Sequence, residues 1–268
     1  MTELDTIEDT LFVPMLGRIY ASENFPGILR DEKALELRDR LPSDIRGRDT
    51  QTQYTLLSGA VRSANIDRRI TDFLRRKSDG VVVQFGCGLE TAFSRNDNGK
   101  TVWYGLDLPE VIDYRRTLIP ETDRERLIAG DAFSLEWLDT VRGEFPDAPI
   151  LITASGVFQY FTGEKVAGLM RGLMGHGDIE VLFDVFSSSA MKRVHKYMEQ
   201  VGHADAAMYF AVDDSRKFVS DVGGTAELIL DEKYYAHTDR KGLSPSTRIT
   251  MWGSDLFGMV RMVQVGLR

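Results

Sequence analysis

The sequence predicts an α/β fold: a doubly wound, mainly parallel sheet carrying an N-terminal helical cap and a helical insertion late in the sheet. Three observations predict it. Short apolar runs beginning at Val81, Trp103, Arg126, Pro149 and Ile179 alternate with helix-like stretches, the arrangement of parallel strands joined by right-handed crossovers. The first run ends in Gly86-Cys87-Gly88, a turn between strand and helix. Before Val81 no strand-like alternation occurs, so residues 1–78 read as helices and loops.

Each element has its own signal. In the cap, Asp31 to Arg40 carries Ala34, Leu35 and Leu37 among charges, and Pro42 stops it. From Ser58 to Lys77, Ile66, Ile70, Phe73 and Leu74 recur at helical spacing and define an inward stripe. Pro149 to Ala154 is a short, mostly apolar run, as a strand buried on both faces should be. A helix from Gly163 to Leu173 follows, then a fifth strand from Ile179 to Val185. Residues 187–214 break the alternation with Met191, His195, Tyr197, Met198, Met208, Tyr209 and Phe210, which line either a pliable pocket or an ordinary packing face. Ala226 to Leu230 and Met259 to Val265 are expected to close the sheet.

The glycine turn and the acids at strand ends carry the chemistry. Gly86 and Gly88 permit backbone angles closed to other residues and let a ligand approach the main chain, although tight turns use glycine for structural reasons as well. The helix expected from about Leu89 would present unpaired N–H groups. Asp107, closing the second run about 20 residues on, can accept two hydrogen bonds from ribose hydroxyls. Thr91 stands where a dinucleotide fingerprint has its third Gly or Ala. That weakens NAD and favours a cofactor with adenine and ribose but no diphosphate, S-adenosylmethionine. Asp131, after the third run, is placed to accept from an adenine amino group. Arg62, four residues before Ile66, points a permanent charge toward the apolar stripe and needs an anion. Three partners remain open for it: water, a carboxylate of the protein, or the carboxylate of the cofactor's methionine part.

Bulk properties bound the function classes. The chain has 268 residues, 43% hydrophobic and 28% charged, enough for one α/β domain with additions. Its net charge of −8 argues against a nucleic acid as main partner. No apolar run approaches the length of a membrane span and no signal peptide is visible at residues 1–9, so a cytoplasmic protein is expected. Cys87 is the single cysteine, which excludes an intrachain disulfide. Between two glycines it is expected to be a small side chain beside the ligand, with a catalytic thiol as the alternative. No metal site is expected: Asp213-Asp214 looks like a helix start and Asp97-Asn98-Gly99 like a turn.

The sequence resembles the leucine carboxyl methyltransferases and the tetracenomycin-type polyketide O-methyltransferases. The resemblance runs through Asp9-Thr10-Leu11, Ile28-Leu29-Arg30-Asp31, Gly86 to Thr91, Trp103 to Val111 and Ala154 to Phe161, with Asp107-Leu108-Pro109-Glu110-Val111 as its most specific element. It implies a class I, Rossmann-like methyltransferase fold, with a cap over 1–78, a cofactor-binding core over 79–186, a substrate-side insertion over 187–222 and closing strands over 223–268. It also implies that Arg62 holds the cofactor carboxylate and that Gly86, Cys87 and Gly88 form its turn. Asp107 with Leu108 would take the ribose, and Asp131 with Ala132 the adenine. Ser155 departs from the family's usual Glu, so a neutral hydroxyl would meet the cofactor's amino group. Phe158 and Tyr160 would border the acceptor.

The expected reaction is O-methylation of a carboxyl or hydroxyl oxygen on a small metabolite, polyketide-like in the leading case. The alternatives are methylation of a protein's terminal carboxylate and a cofactor-binding protein without transferase activity. A carboxylate acceptor needs no base, whereas a phenol with a pKa near about 10 would gain from one. The candidate bases are His176, His195, His203 and His237, of which His195 and His203 fall in the insertion and His176, between two glycines, is expected to be structural; Tyr160 would position the acceptor through its hydroxyl or pack with its ring buried.

Overall fold

The computed structural model describes residues 3–42, 51–200 and 208–268, with side chains over 11–42, 51–194 and 208–268. Seven strands form one sheet in the order β3-β2-β1-β4-β5-β7-β6. They are β1 Val81–Phe85, β2 Trp103–Asp107, β3 Glu125–Ala129, β4 Ile150–Ala154, β5 Ile179–Phe186, β6 Glu227–Lys233 and β7 Val260–Leu267. The first five are parallel, and β7 runs antiparallel to both β5 and β6.

Burial follows composition. Every residue of the central strand β4 and of its neighbour β1 is buried, and most of them are Val, Ile, Leu or Phe. Edge strand β6 instead alternates, keeping Glu227, Asp231 and Lys233 in water, charges that discourage pairing with another sheet. The closing strands run longer than their apolar cores, because ladder pairing with β5 carries β7 through Gly266 and Leu267.

Helices cover both faces. The described cap comprises α1 Glu3–Asn24, α2 Glu32–Leu37 with a 3₁₀ turn at Arg38–Arg40, and α3 Gln53–Arg76. Ile66, Ile70 and Phe73 of α3 are buried against Val82, Trp103, Leu151 and Leu182 of the sheet. Helix α1 lies close on α3: a Cβ on Gly17 would stand 2.5 Å from the Leu56 carbonyl oxygen. The connecting helices are α4 Ala92–Asn96, α5 Pro109–Leu118, α6 Glu136–Glu144 and α7 Gly163–Leu173. After β5 come α8 Ser188–Gln200, α9 Ser215–Val222 and α10 Pro245–Leu256. Asp214 caps α9 by accepting from the N–H groups of Arg216 and Lys217, and Gly99 adopts φ +77° in the turn after Asp97.

One boundary differs from expectation. The helix expected from Leu89 begins only at Ala92 and is five residues long. Residues 86–91 are spent on a turn closed by the Glu90 N–H to Cys87 O hydrogen bond, while the Thr91 hydroxyl donates to buried Asp31. The short helix α4 is therefore an anchor for the turn more than a dipole aimed at a ligand.

Candidate active site

The carboxyl ends of β1, β2, β4 and β5 lie side by side, so their turns form one edge. At β1, Gly86 and Gly88 adopt φ of +57° and +42°, angles that cost a side-chain-bearing residue about 1 kcal/mol or more. Space is equally restrictive: a Cβ on Gly86 would stand 2.5 Å from Val157 Cγ2. Asp107 ends β2 and reaches across, accepting from Gly88 N–H and from Leu108 N–H, both at 2.8 Å. Each carboxylate oxygen keeps a further acceptor site. Burial pushes the Asp107 carboxyl above its ordinary value, against the pull of those two N–H groups. Leu108 is held extended by the proline after it, Pro109 opens α5, and the Leu108 side chain is exposed at the edge.

The Cys87 side chain turns inward. Its side chain is buried with Ile112 and Leu127, and Sγ lies 3.0 Å from where a Cβ on Gly105 would be. Gly105 thus leaves room for the sulfur under the sheet, and only the Cys87 backbone belongs to the turn. Burial pushes the thiol up to about 12, which leaves almost no thiolate at neutral pH. Thiol reagents at pH 8 should therefore react only when the chain unfolds, as a thiol-titration assay with and without denaturant will register.

Asp131 is exposed just beyond β3, and its carboxylate accepts from Phe133 N–H at 2.9 Å. The half-buried Ala132 is fixed by its carbonyl, which accepts from Trp137 Nε1 at 3.0 Å. Beside them lies a recess of about 210 Å³ lined by Leu106, Ile128, Gly130, Asp131 and Trp137 among others.

At β4 the chain turns through Ser155 and Gly156, the latter at φ +68°. Arg62 comes over this turn from α3, so close that its Nη1 would overlap a Cβ on Gly156. Asp184, fully buried near the end of β5, faces Arg62 with 3.2 Å between Oδ2 and Nε. Of the three partners left open for Arg62, this structure shows a carboxylate of the protein. Burial opposes the charge, but Asp184 and the phenols of Tyr234 and Tyr160 outweigh it and raise the guanidinium further.

Phe158 is a correction. It has no exposed surface and packs on Phe133, Phe183 and Phe210 in the core. Within the 3₁₀ turn Phe158–Tyr160 the two aromatic side chains leave in different directions, and only Tyr160, 41% exposed, remains at the surface. Burial raises the Tyr160 phenol, and the Arg62 charge pulls it back down. Nearby, Tyr209 N–H donates to Gln159 O at 2.7 Å and its side chain is 61% exposed.

The histidines divide. His176 lies between Gly175 and Gly177 ahead of β5, at the opposite edge of the sheet from the glycine turn. The His237 ring is paired with Glu232 at 2.6 Å. The His195 side chain and His203 lie outside the described residues. Among the described residues no group of three His, Cys, Asp or Glu could hold a metal ion, and no helix is long and apolar enough to cross a membrane.

Sequence reasoning missed two parts of the site. One is Asp184; an acid near the end of an apolar strand was the available signal, the same one that marked Asp107. The other is an ionic group behind the glycine turn. Arg18 of α1 reaches Asp31 at 3.1 Å and Glu90 at 3.3 Å, and Arg95 of α4 reaches Asp31 at 2.6 Å, Asp67 at 2.7 Å and Glu90 at 2.9 Å. Thr91, at the position of the absent third glycine, is part of this group.

Residues 13–174 match the protein family described as leucine carboxyl methyltransferase. The chain belongs to that family. It is 28% identical over 223 residues to the tetracenomycin polyketide synthesis O-methyltransferase TcmP of Streptomyces glaucescens, covering 82% of this chain and 81% of that one. A second relative, the S-adenosyl-L-methionine-dependent methyltransferase dpfgK of Gibberella zeae, is 24% identical over 184 residues, covering 63% of this chain and 61% of the relative. Among solved structures, a DUF574-family protein of Streptomyces avermitilis superposes with a TM-score of 0.59 at 12% identity, covering 94% of this chain and 97% of that chain. Magnesium protoporphyrin IX methyltransferase of Synechocystis, crystallised with S-adenosylhomocysteine, gives 0.51 at 14% identity, covering 89% of this chain and all of that chain. The fold of this family member is thus that of a class I methyltransferase.

The residues present fit S-adenosylmethionine. The turn admits only glycine at Gly86 and Gly88, both at positive φ, so the main chain is bare there; Asp107 retains acceptor capacity next to it, and Arg62 brings a guanidinium over the neighbouring turn at Gly156. A turn without a third glycine, its place taken by a buried threonine, suits a cofactor lacking diphosphate.

Proposed function

We propose that this methyltransferase places the methyl group of S-adenosylmethionine on an oxygen of a small aromatic acceptor of polyketide type. The observation that carries the reading is the convergence of Gly86, Gly88, Asp107, Ser155 and Arg62 on one sheet edge, with Tyr160 exposed beside them. In this reading Asp107 and Leu108 take the ribose, Asp131 and Ala132 the adenine, Ser155 the amino group and Arg62 the carboxylate. S-adenosylmethionine supplies a methyl carbon on a positively charged sulfur; the acceptor oxygen bonds to it as the C–S pair returns to sulfur.

The chain's own part is to orient and to exclude water. The exposed rings of Tyr160 and Tyr209 offer flat apolar surfaces to an aromatic acceptor. An acceptor that is already ionised at neutral pH, a carboxylate, needs no general base from the chain and is the leading case.

Methyl-labelled S-adenosylmethionine offered with an aromatic carboxylic acid, a matched phenol and a peptide ending in leucine tests this. Label in the aromatic acid as a base-labile ester is the expected result. Label confined to the peptide would move the reading to a protein carboxyl methyltransferase. Binding of cofactor with no transfer to any acceptor would leave a cofactor-binding protein.

A further inference from the structure

Asp184 is a buried carboxylate that the reaction does not use directly, yet it touches three parts of the proposed tail-binding region. Its Oδ1 accepts from Gly156 N–H at 2.7 Å, its Oδ2 accepts from Gln159 Nε2 at 2.8 Å, and the same Oδ2 lies 3.2 Å from Arg62 Nε. Two neutral donors thus fix the carboxylate before the guanidinium meets it. Because the carboxylate takes the Nε edge, Arg62 extends its Nη1 over Gly156, where only a residue without Cβ fits.

We infer that Asp184 is a positioning residue: it aims Arg62 so that the Nη end of the guanidinium takes the carboxylate of the cofactor's amino-acid tail. The inference rests on the S-adenosylmethionine reading above. A guanidinium offers five donors in a fixed fork, so a carboxylate on one edge leaves the other edge oriented for a second carboxylate. Without Asp184, Arg62 would keep its charge and lose its direction. Burying that charge unpaired would also be costly before the cofactor arrives.

The test separates tail recognition from general integrity. S-adenosylhomocysteine and 5′-methylthioadenosine share adenosine and sulfur, and only the first has the amino-acid tail. Calorimetric titration of the full chain with both is expected to show Asp184→Asn weakening S-adenosylhomocysteine by about tenfold and changing 5′-methylthioadenosine by less than about twofold. Asparagine keeps an oxygen for the Gly156 N–H while removing the charge. In an Arg62→Ala background the same substitution should cost nothing further, the signature of two groups acting as one.

Should Asp184→Asn fail to fold, Gln159→Leu gives the second route, since it removes the Nε2 donor that fixes Asp184 Oδ2 while Asp184 and Arg62 stay in place; the same selective loss is expected. Equal weakening of both ligands, or no weakening of either, overturns the inference. A wild-type chain that binds neither ligand removes the cofactor reading itself, and this inference with it.

Discussion

Asp107→Ala is expected to weaken S-adenosylhomocysteine binding by about a hundredfold or more, the cost of two charge-assisted hydrogen bonds at about 1.5–3 kcal/mol each. The carboxylate has two duties at once. It ties Gly88 N–H and Leu108 N–H together at 2.8 Å each, and it keeps acceptor sites for a pair of ribose hydroxyls. Alanine abolishes both, so the turn loses its brace as the ligand loses its acceptor. Asp107 lies at the surface end of β2, where the freed N–H groups can bond water. The melting temperature should therefore fall by only a few degrees, which thermal denaturation beside calorimetry will show. Asp107→Asn is the finer variant, because it retains one oxygen and should lose less affinity. Unchanged affinity in the alanine variant would remove the ribose assignment.

How much of this was legible in the sequence depends on the range of the interaction that decides each feature. The inner parallel strands were legible, because a strand buried on both faces must be mostly apolar, as Val81 to Phe85 and Ile150 to Ala154 are, with Gln84 and Thr153 the exceptions. So was the edge on which Asp107 meets the glycine turn, since a strand-helix-strand unit with parallel neighbouring strands brings both carboxyl ends to one edge. The direction of a side chain within a turn was not. Nothing in Val157-Phe158-Gln159-Tyr160 says that the phenylalanine goes inward to Phe183 and Phe210 while the tyrosine stays out. Cys87 gives a similar lesson: its neighbours in sequence suggested a ligand, but the space left by Gly105, on the next strand, decides where the sulfur goes.

Arg62 shows the same limit for charge. Its spacing on the α3 stripe established that the guanidinium faces inward and needs an anion. Which anion is a question about a residue on β5, and only the fold brings Asp184 there. The extended helix expected after the glycine turn failed for a related reason. Thr91 and Arg95 are drawn toward Asp31, which arrives from the cap, so tertiary pairing shortens the helix that local propensity would have begun earlier.

That pairing carries the largest stability prediction: Asp31→Ala should destabilise the chain by about 3–5 kcal/mol, the range for removing one partner from a buried ionic group. Asp31 has no exposed surface. Its Oδ2 faces Arg18 Nε at 3.1 Å and Arg95 Nη1 at 2.6 Å, and its Oδ1 caps α2 through the Ala34 N–H at 2.9 Å. Truncation leaves two buried guanidiniums sharing the remaining carboxylates of Glu90 and Asp67, and it strips the helix cap as well. Urea titration should show the loss as a lower midpoint at unchanged slope. Glu90 extends the argument to pH. Burial pushes its carboxyl up, but the charges of Arg18 and Arg95 outweigh burial and hold it well below the usual carboxylate range. A depressed folded-state value means that its stabilisation is complete above the unfolded carboxyl's pKa and fades as pH falls toward the folded one. Glu90→Gln should therefore flatten the acid limb of the stability curve, while leaving the neutral-pH chain less stable than wild type. Because Glu90 and Thr91 sit directly behind Gly88, loosening this group should also release the glycine turn, and S-adenosylhomocysteine affinity in Asp31→Ala is expected to fall together with stability. An Asp31→Ala chain as stable as wild type would show that the cap is held by its apolar contacts alone.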